Sequence, residues 1–302
     1  MKNRKLTGTK INLSGENTAF FLIMLPFMIL FFIFNILPVL ASIVLSMFDY
    51  DMVSRPILNG FDNYIRMVTD DELFFKVVGN TLRFSIVAGP LSFILAFLLA
   101  WMINEFTPMV RVILTFVFYA PALVGNAYFI WQVFFSSDSY GYMNSILMNF
   151  GLINEPINWF QSTEYNMTLI LIVQLWMSMG VSFLANIAGL QNVNTELYEA
   201  GAIDGIHNRW QELWYLTLPS MKHMLLFGAV MQIQSSFSVG AIAQTMIGYP
   251  SVEHSVDTIV LLMTDVGTVR YELGYASAMA VVLFIMMFTA RIIVGKLFGK
   301  KD

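Results

Sequence analysis

No cysteine occurs anywhere in the 302 residues, which excludes disulfides, thiolate metal sites and cysteine nucleophiles. Charge is scarce as well: only 12% of residues are charged, against about 25% in soluble domains. With 57% of residues hydrophobic, so little charge cannot cover a globular surface of this size, and much of the chain must face lipid. The net charge of −4 and a pI near 5.4 leave no basic footprint for nucleic acid.

Motifs for chemistry are missing too. There is no G-x-x-x-x-G-K-[ST] phosphate loop; the nearest fragment, Gly295-Lys296-Leu297, lacks the first glycine and the hydroxyl. The chain is therefore not itself a P-loop ATPase. His207, His223 and His254 stand alone without metal-ligand spacing, and no metal site is expected. No G-x-S-x-G or H-E-x-x-H sequence offers a hydrolase site, so a membrane enzyme is disfavoured.

What is present is apolar length. A helix needs about 20 apolar residues to cross the hydrocarbon core. Six stretches satisfy this without an internal charge: 19–47, 84–103, 112–135, 167–190, 224–247 and 274–290. Lipid offers no partner to free backbone groups, so each is expected to be helical, giving an all-α polytopic membrane protein with six transmembrane helices. The first stretch is about twice the length of a signal-peptide core, about 7–15 residues, and is read as retained.

Six spans put both termini on one side. The N-terminal tail, Arg111, Arg209, Lys222 and the C-terminal tail (Arg291, Lys296, Lys300, Lys301) hold eleven of the sixteen basic residues. Arg55, Arg66, Lys76, Arg83 and Arg270 lie on the other side, and the 136–166 loop has no Lys or Arg. The positive-inside rule then makes both termini cytoplasmic. The expected organisation is a tail over 1–18, a six-helix domain over 19–298 and a short tail over 299–302.

None of the span interiors contains Asp, Glu, Lys, Arg or His. Ion-coupled carriers usually place ionisable residues there. The pattern points to a path for neutral solutes, with energy supplied by another chain. A secondary carrier or channel for neutral polar solutes stays open, because carbonyls alone can hold sodium; so does a membrane scaffold.

The loop over about 191–222 carries the strongest local signal. Asn194 or Thr195 can cap a helix, Glu196 favours its dipole, and Gly205 can end it in the left-handed region. Trp210, Leu213, Trp214 and Thr217 follow at helical spacing, and Pro219 marks the entry to the fifth span. On shape alone this is an amphipathic connector or a knob that transmits force.

The same loop resembles the EAA motif of permeases in binding-protein-dependent ABC importers of the maltose type. That pattern runs Glu-Ala-Ala, then a glycine, then Ile-x-Leu-Pro. Glu199, Ala200, Gly205, Leu218 and Pro219 match it. Gly201 stands for the second alanine, Leu216 for the isoleucine, and the gap from Gly205 to Leu216 is one residue longer. Asn59–Tyr64, Gly79–Thr81, Pro121–Trp131, Gly141–Asn144, Ile157–Trp159 and Gly274–Ala280 resemble further segments of sugar-importer permeases, in the expected order.

The resemblance implies the type I ABC importer permease architecture with a cytoplasmic coupling helix. It implies a sugar or oligosaccharide as solute and a bacterial or archaeal cytoplasmic membrane. The partners it implies are a second, homologous permease (a heterodimer), two ATP-binding cassette subunits that hold ATP and Mg, and an extracellular or periplasmic solute-binding protein. This chain would hold no cofactor. Glu199, Ala200, Asp204 and Gly205 would couple it to the ATPase.

Polar residues inside the spans are few. Gln174, Ser178, Ser182 and Asn186 recur at a spacing that turns about 400° per step, forming one slowly winding stripe. Gln234 and Ser238 repeat the spacing in the fifth span; Asn126 and Trp131 mark the third. Amides and hydroxyls match sugar hydroxyls as donors and acceptors, so Asn126, Trp131, Gln174, Ser178, Asn186, Gln234 and Ser238 are candidates for the solute path. The same residue types also bond helix to helix in membranes.

Overall fold

The apolar runs fold into rods whose ends and breaks follow from particular residues. The computed structural model describes residues 15–299, with side chains from 21 to 296. The basic residues Lys2, Arg4, Lys5, Lys10, Lys300 and Lys301, with most of the two expected tails, lie outside the described residues.

Helices α1 (Gly15–Phe31) and α2 (Leu37–Leu45) form one rod through a wide turn at Phe32–Ile36. There the Leu37 N–H reaches back to the Phe32 carbonyl, one residue farther than in an α-helix. Every residue from Phe21 to Ala41 is exposed. The rod packs on the rest of the chain only near its end. Strands β1 (Phe48–Asp49) and β2 (Ile57–Leu58) then pair antiparallel, and α3 (Asp62–Thr69) follows. Asn63 fixes the ribbon by donating its amide to the Ser46 and Phe48 carbonyls at 2.9 and 3.0 Å.

Helix α4 (Glu72–Asn104) is 33 residues long, about 50 Å at 1.5 Å per residue, against a hydrocarbon core of about 30 Å. The sequence marks only its membrane part, from Phe84. The helix begins a full three turns earlier, where Asp71 caps it by accepting from the Phe74 N–H at 3.0 Å. Arg66 of α3 pairs with Glu272 and lies 4.2 Å over the Tyr275 ring, while the Tyr275 hydroxyl donates to Asp71 at 2.6 Å. These contacts join α3, α4 and the start of the last helix.

The third expected span is not one helix. It divides into α5 (Pro108–Leu123) and α6 (Phe129–Phe134) around Val124–Tyr128, where Gly125 has φ +65°. The fourth divides into α8 (Asn166–Met177) and α9 (Val181–Gln191), bent by 42°. Between the third and fourth lie α7 (Tyr142–Asn149) and a short turn at Trp159–Gln161. The next loop holds α10 (Thr195–Ile203), α11 (Arg209–Glu212) and α12 (Leu218–Ser220). The fifth span divides into α13 (Lys222–Phe237) and α14 (Gly240–Met246), bent by 40°. Then come α15 (Ile259–Thr268) and the unbroken α16 (Leu273–Gly299). Among the described residues, three helices are long and apolar enough to cross a membrane alone, or five if each bent pair counts as one span.

The bundle centres on α4, which packs against α9 and α13, with α16 closing on α13, α15 and α2. Ala88, Ala96 and Ala100 of α4 and Ala278 of α16 are fully buried. Such small residues let backbones approach where lipid gives no hydrophobic drive for association. The small-residue run at 274–280 is spent inside the chain. A Cβ on Gly274 would lie 2.0 Å from the Phe48 carbonyl oxygen, so only glycine lets the ribbon rest on the start of α16.

Candidate functional site

The 192–221 loop is a rigid body built by its caps. Asn194 accepts from the Glu196 N–H at 3.1 Å and starts α10. At the other end the Ile206 N–H bonds to the Gly201 carbonyl at 2.9 Å and the Gly205 N–H to the Ala202 carbonyl at 3.4 Å. This is a Schellman closure, and it needs Gly205 at φ +94°. Glu199, Ala200, Asp204 and Gly205 all lie exposed on this helix and its end. The inner face is held by the Tyr198 hydroxyl, 2.9 Å from Thr217 Oγ1.

The longer gap between Gly205 and Leu216 is absorbed by a wide turn at Leu213–Thr217, where the Leu218 N–H bonds to the Leu213 carbonyl five residues back. That turn also splits the expected amphipathic face. Leu213 and Thr217 are buried, whereas Trp210 and Trp214 are exposed. The two residue substitutions in the EAA pattern touch each other: a Cβ on Gly201 would meet Leu216 Cδ1 at 2.8 Å. The leucine fills the space that the glycine leaves.

Arg209 ties the loop to the bundle. Its guanidinium lies 2.8 Å from both Glu212 and Glu105, the latter at the end of α4. The hydrogen bond it donates to Glu212 and the field of Glu105 raise its pKa. Trp101 and Trp210 add a ring contact at 5.4 Å. Nothing in the sequence flags the Arg209–Glu105 pair, because its members stand on separate elements far apart in the chain.

The polar residues of the spans fall into two groups. Gln174, Ser178, Ser182 and Asn186 are buried against α13, not along one continuous helix but across the break at Ser178–Gly180. Gln174 donates to Ser235 Oγ at 2.8 Å, and Gln232 donates to the Ser178 carbonyl at 3.0 Å. Ser182 Oγ and both amide atoms of Asn186 have no partner among the described residues. Gly228 permits the close approach here, since a Cβ on it would lie 2.9 Å from Ser182 Oγ.

Asn126, Gln234 and Ser238 form the second group and are exposed on the bundle surface. Gln244 on α14 shares that exposure and went unnoticed in the sequence, where it falls off the four-residue spacing. Trp131 is half-buried, stacked on Phe135 and edge-on to Trp176, with its indole N–H unpartnered among the described residues.

Asn144 joins two segments that the sequence presented separately. Buried completely, it donates to the Ser136, Asp138 and Ile157 carbonyls and accepts from the Ile157 N–H and Trp159 Nε1. One amide thus organises the 136–166 loop.

No family model matches the chain. The lactose transport system permease LacF of Rhizobium radiobacter is 31% identical over 210 residues, 68% of this chain and 68% of the relative. The chain belongs to the family of sugar ABC transporter permeases. A probable ABC transporter permease of Bacillus subtilis, YesP, is 29% identical over 278 residues, covering 90% and 87% of the two chains. The fold matches a bacterial alginate ABC transporter solved with an alginate pentasaccharide-bound periplasmic protein. There the TM-score is 0.76 at 20% identity, over 94% of each chain.

Family membership places the protein in the cell membrane and makes it a transport subunit, with ATP hydrolysis in a separate chain. In a permease the breaks are physically consistent. Non-helical backbone at membrane depth is tolerated where protein or a water-filled cavity covers it.

Proposed function

We propose that this permease forms half of the translocation pathway of an ATP-driven importer for a sugar or oligosaccharide. A second, homologous permease completes the pathway. Two ATP-binding cassette subunits, holding ATP and Mg, dock on the 192–221 loops. An external solute-binding protein delivers the solute, as the periplasmic protein in the alginate transporter complex supports. The loop and both termini face the cytoplasm, in keeping with the distribution of basic residues.

The observation that carries this reading is the build of α10. A helix capped at both ends presents Glu199, Ala200, Asp204 and Gly205 outward while Tyr198 and Arg209 tie it to the bundle. Movement of a docked ATPase then reaches α4 through Glu105 and α13 through Thr217. The bends at Ser178–Gly180 and Ser238–Val239 are where the spans give way.

Asn126, Gln234 and Ser238 face outward on the bundle and supply donors and acceptors to a neutral polyol on the side of the second permease. Trp131 offers an aromatic face beside them. Gln174, Ser178 and Asn186 lie within the seam between α9 and α13, and reach solute only as that seam opens. Alternating access follows from this arrangement.

Gly205→Asp and Glu199→Lys test it. At φ +94° any side chain is strained, so Gly205→Asp disturbs the closure of α10. Both variants are expected to assemble yet to lose ATP-driven uptake by about tenfold or more, the order of one lost charge-assisted contact. Uptake at the original rate in both would overturn the coupling assignment.

A further inference from the structure

A half-open groove of about 610 Å³ runs between α4 and α16, with α13 packed against both beneath it. The two walls start together, where the Tyr275 hydroxyl meets Asp71. Their rims are exposed residues four apart: Leu82, Ile86 and Pro90 on α4, Ile285, Thr289 and Ile293 on α16. A four-residue step returns to nearly the same side of a helix, so each rim is a continuous edge. Ile233 and Phe237 of α13 form the floor, and Gly89 adds no side chain to the α4 wall.

The groove offers little to a polar ligand. No charged residue lines it. Its three hydroxyls are spent on backbone carbonyls: Ser85 donates to Ser236 at 3.4 Å, Ser236 to Ile233 at 2.9 Å and Thr289 to Ile285 at 2.7 Å. The rest of the lining is apolar. From Leu82 to Phe93 the groove is about 16 Å long at 1.5 Å per residue. That is close to half of a hydrocarbon core of about 30 Å, the depth that the chains of one leaflet fill. Gln234 and Ser238, proposed for the solute path on the side of the second permease, stand more than about 110° around α13 from the centre of the floor. The groove therefore opens away from that side, toward lipid.

We propose that this groove is a lipid site, which seats one acyl chain of a membrane phospholipid between α4, α13 and α16. Transfer from bulk lipid brings no hydrophobic gain, so the preference is one of packing. A chain lying along three helices makes more close contacts than one lying on a single helix face, and such contacts add up. The seated chain touches Phe237, one residue before the bend at Ser238–Val239, and braces the fifth span there. The direction in which the groove opens rests on the proposed function; its apolar lining and its length do not.

The chain has no cysteine, so Ile285→Cys carries a single bimane reporter on the rim. The purified complex in detergent micelles is titrated with phosphatidylcholine whose acyl chains are brominated, a contact quencher. Quenching that saturates is expected. Ala290→Phe on the inner wall and Thr289→Phe on the exposed rim each fill the groove, and each should abolish the saturable part. Unbrominated phosphatidylcholine should raise the thermal midpoint of the unmodified complex, as a ligand of the folded state does, and should lose that effect in both filled variants. Quenching that only grows in proportion to added lipid, alike in the filled variants, means bulk lipid alone and overturns the site. So does a rim thiol that escapes quenching and cross-links to a second permease, which would put a helix in the groove while upholding the proposed pairing. A purified complex without any second permease would count against the proposed function instead, and the saturable quenching would still decide the site.

Discussion

The two unbroken membrane helices and the two bent spans use polarity differently. Between Phe84 and Ile103, α4 carries only hydroxyls, Ser85 and Ser92, besides its apolar and aromatic side chains. From Gly274 to Ala290, α16 likewise has only the hydroxyls of Tyr275, Ser277 and Thr289. The bent spans carry amides: Gln174, Asn186, Gln232, Gln234 and Gln244. A break frees backbone carbonyls in a solvent that cannot serve them. Gln232 serves the Ser178 carbonyl at one break. Gln132 serves the Thr245 carbonyl near the end of α14. Amides and breaks therefore occur together because one makes the other tolerable, and a carbohydrate path can reuse the same chemistry.

Substitutions can break this pairing. Gln232→Leu leaves the buried Ser178 carbonyl without its donor and is expected to cost about 1–3 kcal/mol. Thermal unfolding of the detergent-solubilised complex reads it as a clear fall in midpoint. An unchanged midpoint would detach amides from breaks. Gly228→Ala crowds Ser182 at the α9–α13 seam and should cost about 1–2 kcal/mol by overpacking. Adding Ser182→Ala should recover most of that loss, and additive effects would place the strain elsewhere.

The unbroken helix offers the contrast. Ser92 Oγ on α4 is buried without a partner among the described residues, so Ser92→Ala should be neutral or stabilising, by about 0.5 kcal/mol or more. A marked loss of stability would show that α4 also depends on its hydroxyls. Smallest of all is Gly201→Ala in the loop. The new methyl meets only the flexible ends of Leu216, at 2.8 Å, and Ile206, at 3.2 Å, for an expected cost below about 1 kcal/mol. Uptake assayed with Gly201→Ala and Leu216→Ile combined should match the original rate.

Much of the architecture was legible before any coordinates. Apolar length located the spans, because lipid leaves the backbone no alternative to a helix. Asn194 and Gly205 marked the ends of α10, because cap residues act locally. The breaks were not legible. Val124–Tyr128, Ser178–Gly180 and Ser238–Val239 are as apolar or small as their surroundings, and hydropathy does not distinguish a bent rod from a straight one. The four-residue stripe in the fourth span was visible as a pattern. Its burial against α13 was not, since that depends on Gly228 in another helix. Arg209–Glu105 and the hub at Asn144 were hidden for the same reason: their partners are set by tertiary approach.

The central claim is that α10 is the surface through which a separate ATPase drives this permease. The chain lacks cysteine, so a single introduced thiol reports alone. Glu199→Cys is placed on α10 and Asn158→Cys on the 136–166 loop, and each is cross-linked in native membranes that still import the solute. The account predicts an adduct with the ATPase subunit from position 199, altered by ATP, and none from position 158. An ATPase adduct from position 158, or none from position 199 in membranes with ATP-driven uptake, would contradict it.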